Sequence, residues 1–222
     1  HNDARRQRQM CIRDRYLGGV FYSISIGMPT SIAALIVTLQ PILTNILSGP
    51  ILNEKVTLKQ WIGVLFGFLG ATLVLGLDLG SKIPLLGLVA TLIALISITA
   101  STIWQKKLSN NLPLSVSNFY QAIGGCFFHI LVVIFFAKPY IAFTKTFLLS
   151  MGHQIFLVSF GAFTILMFLI KKNSASKTVS IFFLIPATSA LMAWFFLEES
   201  LTTIDLLGFL ITSIGVYIAT RD

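Results

Sequence analysis

The stretch LQPILTNILSGPILNEKVTLKQWIGVLFGFLG, residues 39–70, recurs in outline as LIPATSALMAWFFLEESLTTIDLLGFLITSIG, residues 184–215. At a constant offset of 145 residues, Pro41 falls on Pro186, Glu54 on Glu199, Thr57 on Thr202, Gly63 on Gly208 and Gly70 on Gly215. Coincident leucines are expected by chance in an apolar chain. A shared register of proline, carboxylate, threonine and glycine is not.

Both copies lie in a chain of 222 residues that is 55% hydrophobic and 11% charged. Its mean hydropathy is +0.86, and soluble domains carry about 25% charged residues. The charges fall in clusters, and the uncharged runs between them are long enough to cross a bilayer: Tyr16 to Asn53, Gln60 to Leu77, Ile83 to Gln105, Leu108 to Ala137, Thr146 to Ile170, Thr178 to Leu197 and Leu206 to Thr220. About 20 apolar residues in a helix span the hydrocarbon. Lipid offers no partners to free backbone groups and the alternation of a barrel strand is absent, so the expected fold is an all-α integral membrane bundle.

Seven full spans are expected, at Thr30 to Leu52, Gln60 to Leu77, Leu85 to Gln105, Ser115 to Ala137, Gln154 to Ile170, Thr178 to Leu197 and Ile204 to Ala219. Tyr16 to Met28 reads as the last part of an eighth, stopped at Gly27 and Pro29 because proline lacks the amide donor of a helix interior. Five spans separate the first helix of the repeated unit from its copy. Five is odd, so the two units enter the membrane from opposite faces. Such inverted repeats are a common transporter plan, in which two similar halves expose one midplane site alternately to either side.

The repeated proline, glutamate and glycine pattern resembles the EamA-type permeases of the drug/metabolite transporter superfamily, as does the passage KKNSASKTVSIFFLIPATSALMAWFFLEESLTTIDLLGFLITSIGVYIA. That resemblance implies a ten-helix parent of two inverted five-helix repeats, with both termini cytoplasmic and a central cavity open alternately to each side. By it, residues 16–77 are the C-terminal part of the first repeat and residues 85–219 a complete second one. The first two helices and part of the third would be absent, and the 222-residue chain alone is expected not to transport. Residues 1–15 read as a basic arm. Their RRQRQMCIRDR string resembles translated sequencing-adapter sequence, which places the expected native start near Tyr16.

Each repeated residue has a structural task as well as a functional one. Pro41 and Pro186 remove a backbone hydrogen bond and can break a helix beside a cavity. Glu54 and Glu199 sit at helix ends on opposite faces, where a carboxylate stays hydrated or accepts bonds from a helix start. Gly63, Gly70, Gly208 and Gly215 permit close helix approach and are packing residues. Uncharged polar and aromatic residues inside the spans are the candidates for a substrate cavity: Gln40, Asn45, Trp104, Asn118, Tyr120, Gln121 and His129. Each also has a bland role, as an interhelical bond or a headgroup anchor.

With Glu54 to Lys59 placed in the cytoplasm, that side carries Lys55, Lys59, Lys106, Lys107, Lys171, Lys172, Lys177 and Arg221, against Lys82, Lys138 and Lys145 opposite. The excess of basic residues favours this orientation and a cytoplasmic C-terminus. The net charge of +8 is thus read as topology and not as a nucleic-acid surface. No P-loop, metal-ligand cluster, cofactor motif or nucleophile with a matched base is present, so neither an enzyme nor an ATP-driven pump is expected. The expected function is permeation or export of a small metabolite or amphipathic compound across the bilayer by alternating access, in a bacterial cytoplasmic membrane, with exchange or proton coupling open. Two alternatives are a sugar-phosphate or nucleotide-sugar carrier of the same superfamily, which would need basic residues within its spans, and a non-transporting membrane scaffold. The sequence does not indicate the oligomeric state.

Overall fold

The structure, a computed structural model, describes residues 16, 18–76, 83–109, 116, 119, 123–127, 130, 134, 143–197 and 200–221. Among the described residues, six helices long and apolar enough to cross a membrane follow one another: α1 (Thr30–Leu52), α2 (Leu58–Leu75), α3 (Leu85–Ser109), α4 (Lys145–Lys172), α5 (Ala175–Leu197) and α6 (Thr203–Thr220). A helical stretch at 18–25 precedes them and ends in a turn at Gly27, whose φ of 95° suits a residue without Cβ. The span expected at Ser115 to Ala137 lies largely outside the described residues, although residues 123–127 within it are helical.

The ends of the helices are set by local chemistry that hydropathy does not register. Thr57 caps α2 and Thr202 caps α6 in matching capping boxes, closed by Gln60 and Asp205 respectively. These boxes start the two helices at Leu58 and Thr203, slightly before the Gln60 and Ile204 expected from the apolar runs. The largest difference is α4, expected from Gln154 but beginning at Lys145. There the Thr144 hydroxyl accepts the Phe147 N–H at 3.2 Å. A lysine at a membrane boundary can send its ammonium to the headgroups and remain helical, so its charge does not mark a loop. The middle of α4, His153–Ala162, runs in wider π turns.

Two helices are broken in the same register. In α1 the segments Thr30–Val37 and Gln40–Leu52 meet at a turn. In α5 the segments Ala175–Ser180 and Leu184–Leu197 are joined by the tight turn Ile181–Phe183. Pro41 and Pro186 stand just after these breaks, and neither can donate to the carbonyl four residues before it.

The centre of the bundle is the antiparallel pair α2 and α6, the most extensive helix contact among the described residues. A Cβ added at Gly63 would lie 2.6 Å from the Gly215 carbonyl oxygen, and one at Gly215 would lie 2.7 Å from that of Gly63. Gly70 and Gly208 repeat the arrangement, at 2.6 Å and 2.9 Å. Under the 145-residue offset Gly63 becomes Gly208 and Gly215 corresponds to Gly70, so one contact is the image of the other. Antiparallel helices related in this way have a pseudo-twofold axis in the membrane plane, between them.

Burial is inverted relative to a soluble protein. Ser23, Gln40, Thr44, Asn45, Ser48, Thr91, Thr99 and Thr212 are buried, while Leu58, Leu85, Phe156, Leu157 and Phe195 are exposed. Apolar side chains facing outward and polar ones inward are what hydrocarbon solvent requires. The chain is a multi-pass membrane protein.

Candidate functional site

The two broken helices face each other across a cavity of about 1000 Å³. Val37, Gln40 and Pro41 of α1 line it, and so do their repeat counterparts Phe182, Ile185 and Pro186 of α5. Tyr16 and Ile24 from the segment before α1, Ile98 of α3, and Ser159, Phe163 and Leu166 of α4 also line it. The cavity extends toward the end of the bundle that carries Thr30, Ser31, Val74, Leu75 and Ala193. No charged side chain lines it among the described residues; its polar groups are hydroxyls and the Gln40 amide.

At the other end the helices are pinned together. The chain leaves α1 through Asn53, whose φ is 55°, and the Glu54 N–H donates to the Ser48 carbonyl at 3.3 Å. This turn aims the Glu54 carboxylate at the start of α5, where both of its oxygens accept the Ala175 N–H, at 2.9 and 3.1 Å. The Ser174 hydroxyl caps the same helix at Lys177 N, 3.2 Å away. The Lys106 ammonium, at the end of α3, donates to the carbonyls of Ile170 at 2.9 Å and Asn173 at 2.5 Å, at the end of α4. A cation on helix-terminal carbonyls and an anion on helix-initial amides both suit the helix dipoles. Together they hold the α4–α5 turn from two sides.

Of the sequence-derived candidates, Gln40 lies on the cavity wall and donates from Nε2 to Thr102 Oγ1 at 3.1 Å, tying α1 to α3. Asn45 is buried at the α1–α5 contact, where its Oδ1 accepts from the Ser176 hydroxyl. Trp104 is half-buried in α3. Neither Asn45 nor Trp104 is among the described cavity-lining residues, and Asn45 Nδ2 and Trp104 Nε1 are buried donors without a partner among the described residues. Asn118, Tyr120, Gln121, His129 and Glu199 lie outside the described residues. Sequence reasoning passed over Tyr16, Ser31, Ser159, Phe163, Phe182 and Ser189. The repeat offset itself was the available signal for part of this set, because it carries the α1 lining positions 37, 40 and 41 onto 182, 185 and 186.

Residues 16–76 and 85–221 match the model of a family described as EamA-like transporters. The chain belongs to the EamA-like transporter family. An EamA-like fold is therefore what the paired broken helices and the crossing glycines build, and the protein is a membrane transporter. It is similar to a probable amino-acid metabolite efflux pump of Escherichia coli strain K12, 23% identical over 218 residues, covering 90% of this chain and 70% of the relative. It is also similar to an uncharacterized transporter from the sor 3′ region of Acidianus ambivalens, 29% identical over 186 residues, covering 80% of this chain and 72% of that one. A solved crystal structure superposes with a TM-score of 0.79 at 16% identity, over 92% of this chain and 71% of its own. That likeness shows a shared fold.

Proposed function

We propose that this EamA-like transporter moves a small amphipathic metabolite out of the cell by alternating access, through the cavity between α1 and α5. The observation that carries the reading is the asymmetry of the two faces. The cavity reaches toward the Thr30–Leu75 end, while the Lys106 end is held shut by Glu54 on Ala175 and Lys106 on Ile170. The excess of lysines at the closed end supports a cytoplasmic position for it, and for the C-terminus, under the positive-inside rule. In that orientation the cavity faces outward.

The wall supports an amphipathic cargo. It is mostly apolar, with hydroxyls and one amide but no charge among its described residues, and an ion taken from water into such a wall incurs a desolvation cost that nothing there offsets. A phosphorylated sugar would need basic partners, and none is present among the described residues of this wall. The efflux name of the Escherichia coli relative supports outward movement. A bacterial cytoplasmic membrane, and coupling to protons or to exchange, belong to the same proposal.

Single cysteines test the asymmetry, in a background where Cys11 and Cys126 are serine. Ser31→Cys should react with a membrane-impermeant thiol reagent from the outer face only. Ser101→Cys, beyond the cavity and near the closed end, should be protected from the cytoplasmic face until Glu54 is replaced by Gln. Equal labelling of Ser31→Cys from both faces would contradict the proposed state.

A further inference from the structure

A second, smaller chamber of about 150 Å³ adjoins the cavity on the side of the Lys106 clasp. Tyr16, Ile98, Phe163, Leu166 and Phe182 line both spaces, so the chambers adjoin across a neck of aromatic and aliphatic side chains. Beyond the neck the chemistry changes. Ser101, Thr102 and Gln105 of α3 present two hydroxyls and an amide, and each is at least nine-tenths buried, at 7%, 7% and 3% exposure.

The polar groups are not equivalent. The Thr102 hydroxyl is already engaged, donating to the Ile98 carbonyl at 2.9 Å and accepting from Gln40 at 3.1 Å. The Ser101 hydroxyl forms no hydrogen bond among the described residues, though it lines the chamber. Serines in membrane helices can bond the carbonyl one turn back, as Thr99 does to Leu95 at 2.8 Å. Ser101 does not, so its hydroxyl remains available to a group that enters the chamber.

We propose that this chamber is a head-group subsite. It takes the uncharged hydrogen-bonding end of an amphipathic substrate, such as a primary amide or an alcohol, while the apolar body lies beyond the neck in the larger cavity. The Ser101 hydroxyl is the recognising group and the Gln105 amide its neighbour one turn on. The proposal rests on the transport reading above and adds the class of substrate. It excludes permanently charged heads, because no described side chain of either chamber carries a formal charge and the Lys106 ammonium is engaged by backbone carbonyls.

The test is binding of radiolabelled octanamide to the protein in nanodiscs by scintillation proximity, with empty nanodiscs as the lipid blank. Saturable binding is expected, about 3- to 10-fold weaker in Ser101→Ala, the range one neutral hydrogen bond gives. Octanoate and octylammonium at pH 8 should not displace it. If Ser101→Ala and Gln105→Leu both bind as the wild type does, while Ala190→Trp in the larger cavity abolishes binding, the head-group subsite is wrong and the cavity reading survives. Displacement by octanoate or octylammonium as effective as by unlabelled octanamide overturns the uncharged-head assignment. Absence of saturable binding overturns the subsite as well, leaving export from cells to decide the transport reading separately.

Discussion

The Glu54 carboxylate reaches across the bundle to the Ala175 N–H with both oxygens, at 2.9 and 3.1 Å, and so joins the end of α1 to the start of α5, 121 residues later. A carboxylate on a backbone amide is a charge-assisted bond, worth about 1.5–3 kcal/mol. The amide analogue keeps the shape and one acceptor but loses the charge. Glu54→Gln should therefore shift the equilibrium toward the state open at the lysine-rich face by roughly tenfold, for a loss of about 1.4 kcal/mol. Cytoplasmic labelling of Ser101→Cys reads the shift. An unchanged labelling rate would remove Glu54 from the closure.

The clasp of Lys106 acts on the same turn from its carbonyl side. Lys106→Met retains much of the stem but none of the donors, and leaves the Ile170 and Asn173 carbonyls to water. It should raise the same labelling rate, and the double variant with Glu54→Gln should exceed either single one. If the double variant behaves as one of the singles, the two contacts form one unit and not two.

Gly63 and Gly215 hold the two repeats together through backbone contact. A Cβ at Gly63 would stand 2.4 Å from the Ala219 nitrogen, and one at Gly215 the same distance from the Gly67 nitrogen. Backbone cannot step aside as a side-chain tip can, so Gly63→Ala and Gly215→Ala should each cost about 3 kcal/mol or more, beyond the usual overpacking range. Gly18→Ala, with nothing within 4 Å, is the control and should leave the melting temperature in detergent unchanged. Equal melting of all three would mean that the α2–α6 crossing is looser than described.

The matched capping boxes give a test of the repeat itself. Thr57→Val and Thr202→Val each remove the side-chain acceptor that meets the N–H of Gln60 or Asp205, both at 3.3 Å. Each should cost about 1 kcal/mol, visible as faster amide exchange confined to the first turn of α2 or α6. The two effects should be similar in size, because the two helix starts are copies.

Much of this architecture was legible in the sequence because proline and glycine act through backbone geometry. Pro41 and Pro186 mark the two breaks, and the Gly63, Gly70, Gly208 and Gly215 register marks the crossing. The partner of Glu54 was not legible. A carboxylate at a helix end can cap whichever helix start lies nearest, and only the folded chain brings Ala175 there. The cavity hydroxyls were hidden for another reason. Thr44, Thr91, Thr99 and Thr212 satisfy themselves on carbonyls of their own helix, so a hydroxyl inside a span does not by itself announce a wet wall. Asn45 looked like a lining residue, but its side-chain oxygen is used by Ser176.

The central claim is that the space between α1 and α5 is a route for cargo. It is tested most directly by comparing the metabolites released by cells that express the protein with those released when Ala34→Trp fills the cavity, at matched abundance in the membrane. The account expects at least one small, uncharged amphipathic compound to accumulate outside with the wild type and to fall to the level of cells lacking the protein with Ala34→Trp. Identical release profiles in all three strains would contradict it.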